Sequence, residues 1–360
     1  MQVIPASIAS FLVSCTMLLA LRPFAEVVGL IDKPGGRKTH HGEVPVVGGI
    51  SMFTGLLVAA IGGTGLGRGG MALLLVSSFM VLLGALDDRF NLPPRVRLFA
   101  HLSAAVALVY STGYVVRDLG DLVGWRELAL GPFSLPFTVI SIVALINAFN
   151  MLDGLDGLAG SSGLVALAGI MFVSSIGGSS GTVLVAGSML GSVAAFLMFN
   201  LPTSINRPIR TFMGDAGSTL LGFLLAGLSL KLVQRDALNV EPMIILWMMP
   251  IPIFELFSST ARRVARGMPP TQADNGHFHH RLVAGGLSVR AICAAYFLVS
   301  SASCAFGVWA YSAELPQPML FAGFCLLFGA WLLFVRSAHR FVTVLPPWFR
   351  RADPASSHSF

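Results

Sequence analysis

The chain has 360 residues, of which 11% are charged and 55% are hydrophobic. Soluble globular proteins carry about 25% charged residues, so this composition excludes an ordinary soluble protein and predicts a membrane protein. The net charge of +6 is explained by basic loops that face a cytoplasm, and because no nucleic-acid motif occurs we expect no nucleic-acid partner.

Windows of roughly 20 apolar residues, the length that crosses a bilayer as a helix, predict about eleven membrane spans. Their approximate bounds are 3–24, 46–63, 70–87, 98–115, 134–150, 159–177, 181–199, 215–234, 241–261, 290–311 and 317–336. The first span lacks preceding basic residues, so we expect it to be retained with its N-terminus outside. The fold class expected is an all-α polytopic membrane protein, a single bundle over 1–336, with a basic cytoplasmic tail over 337–360.

Charge bias predicts the orientation of this bundle. Eighteen of the 23 Lys and Arg residues fall on one side of the predicted spans, which makes that side cytoplasmic and also places the C-terminus inside. The longest loop on the other side, 116–133, is expected to form a small hairpin. Eleven of the 17 acidic residues lie on the basic side, several of them at span ends. Such carboxylates are costly unless hydrated, paired or bound to a cation, so the functional site is predicted on the cytoplasmic face.

The first two polar segments on that side carry charges suited to phosphate. A loop over 32–49 combines glycines with basic residues such as Lys33, although a simple topology signal explains it equally well. The third span ends in Asp87 and Asp88, with Arg97 following. These groups fit a divalent cation and phosphate oxygens, but a solvated helix end is an equally good interpretation of the pair alone.

The next polar segment follows the fifth span, where Asn147, Asn150, Asp153 and Asp156 recur at three-residue steps. This spacing places the four side chains near one face of a helix end, where they can serve one ligand. Helix capping accounts for only one or two of them.

Two further segments complete the set. Asp215 lies between small residues at the start of the eighth span, after Arg207, Arg210 and Phe212. An N-cap role explains the aspartate but not the arginines, so a metal-bound diphosphate is the sharper interpretation. The last segment, 262–281, combines arginines with a cluster of histidines. No cysteine or HExxH partner indicates a transition-metal site there, whereas histidine beside arginine suits anionic oxygens.

These five segments, in this order, resemble the polyprenyl-phosphate N-acetylhexosamine-1-phosphate transferase family, glycosyltransferase family 4. The resemblance rests on DKPxxRKxHxGxxPxxGG, LDDRF, NAFNMLDGLDGL, FMGDAGST and the HxHH loop after RRxxRG. It implies a multi-pass enzyme of the bacterial cytoplasmic membrane that uses Mg²⁺, with Mn²⁺ as an alternative. The reaction implied is transfer of a sugar 1-phosphate from a UDP-N-acetylhexosamine to undecaprenyl phosphate, an early step of cell-surface polysaccharide synthesis such as O-antigen synthesis. A homodimer is an open expectation.

The resemblance also implies roles for individual residues. The expected metal ligands are Asp215, Asn150, Asp87 and Asp88. Asp87 and Asp88 are expected to orient or deprotonate the lipid phosphate, with Arg97 near the phosphates, and His279 and His280 to hold the pyrophosphate or sugar. Phe212 is expected against uracil, with Asp153 and Asp156 in the nucleotide pocket. Further substrate-binding residues are Lys33, Asn147, Arg207, Arg210, Arg262, Arg263 and His277.

Three positions depart from the family pattern. The histidine loop reads HFHH rather than three consecutive histidines, which favours the hexosamine branch over the phospho-MurNAc-pentapeptide transferases. Asn91 stands where relatives often have a third aspartate, and Glu255 stands where an aspartate is expected.

Alternatives stay open at this stage. The donor expected first is UDP-GlcNAc, with UDP-GalNAc, a 6-deoxy-N-acetylhexosamine donor or UDP-MurNAc-pentapeptide as alternatives within the family. An ion-coupled transporter is the alternative from another class, because Pro250 and Pro252 in the ninth span suit a broken helix. A purely structural membrane scaffold would not need the acidic and histidine clusters.

Overall fold

A computed structural model describes residues 3–33, 42–202, 209–234, 238, 240–269 and 277–344. Within these ranges the fold is a helical bundle with one very short two-stranded sheet. The helices are α1 (Val3–Leu21), α2 (Gly48–Gly62), α3 (Gly67–Phe90), α4 (Pro94–Thr112), α5 (Ser134–Leu152), α6 (Leu158–Ile176), α7 (Ser180–Asn200), α8 (Gly214–Leu232), α9 (Pro242–Met248), α10 (Pro250–Ala265), α11 (Phe278–Ala284), α12 (Val289–Ser312) and α13 (Gln317–Val344). The strands are β1 (Ile31–Asp32) and β2 (Val44–Pro45), which pair antiparallel.

Eight helical segments of the described chain are long and apolar enough to cross a membrane. They contain α1, α3, α5, α6, α7, α8, α12 and α13. This confirms the prediction of an all-α polytopic membrane protein. Two of the other predicted spans correspond to α2, which has only 15 residues, and to α4, which is not among the eight.

The predicted span 241–261 is not one straight helix. It consists of α9 and α10, which are bent by 91° at Met249. Proline has no backbone N–H and its ring clashes with the preceding turn, so Pro250 and Pro252 begin a new helix rather than continue the old one.

Helix α8 lies at the centre of the bundle. It packs against α2, α3, α5 and α6, and it is the most buried of the eight segments, whereas α13 and α1 are the least buried. Glycines allow this close packing, as the small-residue content of the spans predicts. A Cβ atom on Gly49 of α2 would lie 2.2 Å from the backbone nitrogen of Gly217, and one on Gly84 of α3 would lie 2.3 Å from Cα of Ala216.

A backbone ladder joins the segment after β2 to the segment before α8. The amide of Phe212 donates to the carbonyl of Pro45 at 2.9 Å, and the carbonyl of Phe212 accepts from Gly48 at 3.0 Å. The amide of Gly49 donates to the carbonyl of Met213, also at 3.0 Å. The start of α2 therefore holds the start of α8 in register.

The loop between α4 and α5 forms the expected hairpin. Asp118 and Ala129 make an antiparallel bridge, and Leu119 and Gly120 exchange backbone hydrogen bonds with Leu128. Its tip is closed by Asp121, whose Oδ1 accepts from two backbone amides.

The contact at Gly84 yields a first prediction. Gly84→Ala places a methyl group against backbone atoms of α8 that cannot move aside as a flexible side chain can, so we expect a loss of about 1–3 kcal/mol in the free energy of unfolding. The control is Gly329→Ala in α13, where nothing lies within 4 Å of the new Cβ, and which we expect to be neutral or slightly stabilising. Thermal unfolding in detergent compares the two variants. Equal midpoints for both would contradict the packing described here.

Candidate functional site

Polar groups from distant parts of the sequence meet at one end of the bundle, where α3 and α5 end and α8 begins. Asp87 is buried at the end of α3, where its Oδ1 accepts from the amide of Leu92 at 2.7 Å. Its Oδ2 accepts from Nη1 of Arg97 at 3.0 Å, and the same nitrogen lies 3.9 Å from Oδ2 of Asp215. Arg97 therefore lies between the carboxylates of Asp87 and Asp215.

Asn91 ends α3 in the left-handed conformation, with φ of 50°. Its amide donates to the carbonyl of Asp87 at 2.8 Å. Asparagine tolerates this conformation well, so the departure from aspartate at this position is compatible with a helix end.

Asp88, which lies in α3, caps the N-terminus of α8. Its Oδ1 accepts from the amide of Asp215 at 2.7 Å, and its Oδ2 accepts from the amide of Ala216 at 3.1 Å. Helix N-termini carry unpaired N–H groups and favour negative charge, so this contact stabilises the first turn of α8. Asp215 itself lies in that turn and is not the N-cap residue, which is Met213.

Asn150 of α5 reaches the same turn. Its Nδ2 donates to Oδ1 of Asp215 and, at 3.1 Å, to Oγ of Ser218. Asn147, one turn earlier, donates to the carbonyl of Val143 in its own helix at 2.7 Å. The structure thus brings Asn150, but not the amide nitrogen of Asn147, to Asp215.

The four-residue pattern that begins at Asn147 does not run along one helix. Helix α5 ends at Leu152, so Asp153 caps it and Asp156 lies in the turn that leads to α6. Burial raises the pKa of Asp153 well above its ordinary range, and the negative charges of Asp215 and Asp88 raise it further. The helical pattern stops because the backbone of Asp153, with φ of −77° and ψ of 42°, has already left the helical region.

Arg210 connects this turn to the segment before α8. It forms an ion pair with Asp156, and its guanidinium lies 4.9 Å from the ring centre of Phe212, over the ring face. A positive charge over an aromatic face is favourable. The predicted nucleotide-pocket residues Asp156 and Phe212 are therefore held together by one arginine.

The sequence analysis overlooked Asn200, which is buried at the end of α7. Its Oδ1 accepts from the amide of Gly157 at 2.6 Å, and its Nδ2 donates to the carbonyl of Thr211 at 2.9 Å. It thus joins the Asp156 turn to the segment that carries Arg210. An asparagine directly after an apolar span, as at Asn150, was the available signal.

The histidines gather around α11. His277 and His279 stack with ring centres 5.6 Å apart, and the rings of His279 and His280 are 4.3 Å apart. His279 is fully buried, whereas His280 is half-buried. Burial lowers the pKa of His280 to about 4, and the nearby His279 contributes in the same direction. His280 is therefore the neutral imidazole that a ligand can reach.

Three other predicted substrate-binding residues lie in the described part of the chain, namely Lys33, Arg262 and Arg263. Lys33 is exposed and lies 3.3 Å from Glu43, so its ion pair is near the surface. Arg263 is buried, and Arg262 donates to Oγ of Ser259 at 3.2 Å. Arg207 and most of the glycine-rich loop after Lys33 lie outside the described residues.

Mg²⁺ is the metal ion that the sequence motifs imply for this site. No three His, Cys, Asp or Glu side chains in the described part of the chain are grouped so that they could hold a metal ion together. Mg²⁺ is usually held by one or two carboxylates together with substrate phosphates, and it prefers oxygen ligands. Asp215 and Asp87, on either side of Arg97, supply carboxylates of that kind. The residues therefore fit Mg²⁺ that shares its coordination with a phosphate.

The cap formed by Asp88 yields a second prediction. In Asp88→Asn, an NH₂ group that cannot accept a hydrogen bond replaces one of the two acceptor oxygens, so we expect the free energy of unfolding to fall by about 1–2 kcal/mol. Thermal unfolding measures it. The matched control is Asp121→Asn, which also affects an aspartate that accepts two backbone amides, but in an exposed turn where asparagine is tolerated. If the Asp88 cap contributes nothing to stability, Asp88→Asn and Asp121→Asn will unfold at the same temperature.

Comparison with known proteins identifies the family. The profile of glycosyl transferase family 4 matches residues 71–233. An undecaprenyl-phosphate alpha-N-acetylglucosaminyl 1-phosphate transferase of Yersinia pestis is 32% identical over 97% of this chain and 95% of its own length. Proteins of the same name are 33% identical in Haemophilus influenzae, over 95% of both chains, and 32% identical in Escherichia coli K12, over 89% of this chain and 88% of the relative. The chain belongs to glycosyl transferase family 4, as its five sequence motifs predict.

Proposed function

We propose that this enzyme transfers GlcNAc 1-phosphate from UDP-GlcNAc to undecaprenyl phosphate. The products are undecaprenyl-diphosphate-GlcNAc and UMP, and the reaction is the first membrane step of cell-surface polysaccharide synthesis. The observation that carries the proposal is the group formed by Asp87, Arg97 and Asp215 at the end of a membrane bundle. There a phosphate on a long lipid meets a water-soluble nucleotide. The relatives, which match nearly the whole chain, are named for this reaction.

The chemistry requires alignment and charge neutralisation more than covalent help from the protein. An oxygen of the lipid phosphate attacks the β-phosphorus of the donor, and the bond from that phosphorus to the bridging oxygen breaks, so UMP leaves. When bound, Mg²⁺ would be held by Asp215 and Asp87 and would neutralise charge on the phosphates. Arg97 adds a positive charge beside the same oxygens and fixes their position.

Asp88 differs from Asp87 in this scheme. Both its oxygens already accept backbone amides of α8, so its contribution in the present arrangement is to hold Asp215. Asp87 is better placed than Asp88 to orient the lipid phosphate, because Oδ2 of Asp87 contacts the side chain of Arg97 and not a backbone amide.

The donor is expected on the side of Asp156, Arg210 and Phe212. Arg210 covers the ring of Phe212, so a base that stacks on Phe212 takes the place of the guanidinium or lies on the other ring face. The accessible His280 is suited to the diphosphate or the sugar as a neutral N–H donor. The bend at Met249 does not favour a transporter, because the carboxylates gather at the end of the bundle rather than halfway along it.

For the membrane arrangement, we propose eleven crossings in the bacterial cytoplasmic membrane, with the site on the cytoplasmic face. Eight apolar segments, the bent pair α9–α10 and the shorter α2 and α4 together make this number. The excess of basic residues at the site end supports the orientation.

A cysteine-labelling experiment tests that orientation. We replace the exposed Cys325 by serine and introduce Asp121→Cys or Arg95→Cys separately. An impermeant thiol reagent added to intact cells is expected to modify the cysteine at 121, in the 118–129 hairpin, and to reach the one at 95 only after the cells are opened. Labelling of position 95 in intact cells would reverse the orientation.

The proposed activity is tested with purified protein, undecaprenyl phosphate and UDP-GlcNAc. We expect UMP release that depends on Mg²⁺ and on the lipid phosphate. Asp215→Asn is expected to lose at least about 99% of turnover, because an amide neither neutralises the cation nor replaces its anionic ligand.

Asp121→Asn is the control for folded yield and is expected to keep wild-type turnover. A panel of UDP-GalNAc, UDP-MurNAc-pentapeptide and a 6-deoxy-N-acetylhexosamine donor identifies the sugar. Near-normal turnover of Asp215→Asn at saturating Mg²⁺ would remove Asp215 from the site, and no UMP from any donor would refute the proposed activity.

A further inference from the structure

Glu255 of α10 is a buried carboxylate for which the proposed chemistry gives no role. Only 1% of its surface is exposed. A carboxylate at such a depth is costly unless its oxygens are satisfied, so its partners indicate what it does.

Each oxygen of Glu255 has a defined partner from another helix. Oε1 accepts from the hydroxyl of Tyr296 in α12 at 3.1 Å, and Oε2 accepts from the amide of Phe278 at the start of α11 at 3.2 Å. Nδ1 of His279 lies 3.5 Å from Oε1, and Nδ1 of His277 lies 3.9 Å from Oε2. The carboxylate thus holds the backbone of α11 and faces the Nδ1 edge of two of its histidines.

The opposite edge of His279 faces the Asp153–Asp156 turn. A Cβ atom on Gly154 would lie 2.5 Å from Nε2 of His279 and 3.3 Å from Nε2 of His280. Both ring nitrogens of His279 are buried, and neither makes a hydrogen bond with a described residue, so its contact with Glu255 is a close approach at 3.5 Å. The buried side chains of Glu255 and His279 therefore lie in a row beneath Gly154, in the turn that carries two predicted nucleotide-pocket carboxylates.

We propose that Glu255 is a positioning residue that acts through His279: it fixes the imidazole beneath Gly154 and so sets the position of the Asp153–Asp156 turn and of His280 for the UDP-sugar. The inference deepens the proposed function and rests on it. For histidines that bind metal ions, replacing the partner of the second ring nitrogen commonly changes activity by about 10–100-fold, and this sets the scale of the effect expected here.

A double-mutant cycle tests whether Glu255 acts through His279. Glu255→Gln keeps the shape of the side chain but removes its charge and one acceptor. We expect it to lower kcat/KM for UDP-GlcNAc by about tenfold, mainly through KM, and to leave KM for undecaprenyl phosphate within about twofold. In the His279→Ala background the same substitution is expected to change kcat/KM by less than about twofold.

Gly154→Ala provides a second, spatial test that does not alter Glu255. Its methyl group would collide with His279, so we expect reduced kcat/KM in the wild-type background and recovery in the His279→Ala background, where the ring is gone. The control is Ser258→Ala, which removes a buried hydroxyl on α10 that hydrogen-bonds the carbonyl of Glu255 in its own helix. It is expected to keep both KM values.

Thermal unfolding is measured for every variant, so that a loss of folded protein is separated from a loss of donor binding. An equal effect of Glu255→Gln in both backgrounds, together with no recovery of Gly154→Ala, would overturn the inference. If the wild type turns over a different donor from the panel, the cycle is run with that donor. Inactivity of the wild type with every donor would instead refute the proposed function.

Discussion

The position of the first turn of α8 is the constraint on which the rest of the site depends. Its amides need partners in an apolar bundle, and Asp88 supplies them from α3. Gly49 and Gly84 bring two helices into contact with the same turn, at distances that leave no room for a side chain. With the backbone of this turn fixed, the carboxylate of Asp215 has little freedom in where it points.

The charges of the site follow from that constraint. Asp87 and Asp215 lie on either side of Arg97, and Asn150 donates a hydrogen bond to Asp215. Burial raises the pKa of Asp153, and the nearby charge of Asp215 raises it further. A cation that joined these carboxylates would stabilise the protein, because binding to the folded state alone shifts the folding equilibrium.

Local patterns in the sequence predicted the membrane class and most of the helices, and they named most of the residues that the structure brings together at the end of the bundle. They did so because apolar length and clustered polar residues are properties of short segments. Contacts between distant segments were not predictable in this way. The cap that Asp88 provides links residues 127 positions apart, and Tyr296 lies within an apolar span without any local sign that it meets Glu255. The three-residue spacing from Asn147 to Asp156 suggested one helix face, but α5 ends at Leu152 and the last two of these residues lie beyond it.

The backbone ladder between the start of α2 and the segment before α8 has a mechanical consequence. The amides of Gly48 and Gly49 donate hydrogen bonds to the carbonyls of the two residues that precede α8. The first of these two residues, Phe212, is the predicted base-stacking residue. Because these bonds join main chains rather than flexible side chains, neither segment can shift without carrying the other. The segment from Pro45 to Gly49 and the segment that carries Phe212 thus move as one body. Energetic coupling between two sites is reciprocal, so a molecule that displaces one end of this body alters the affinity at the other.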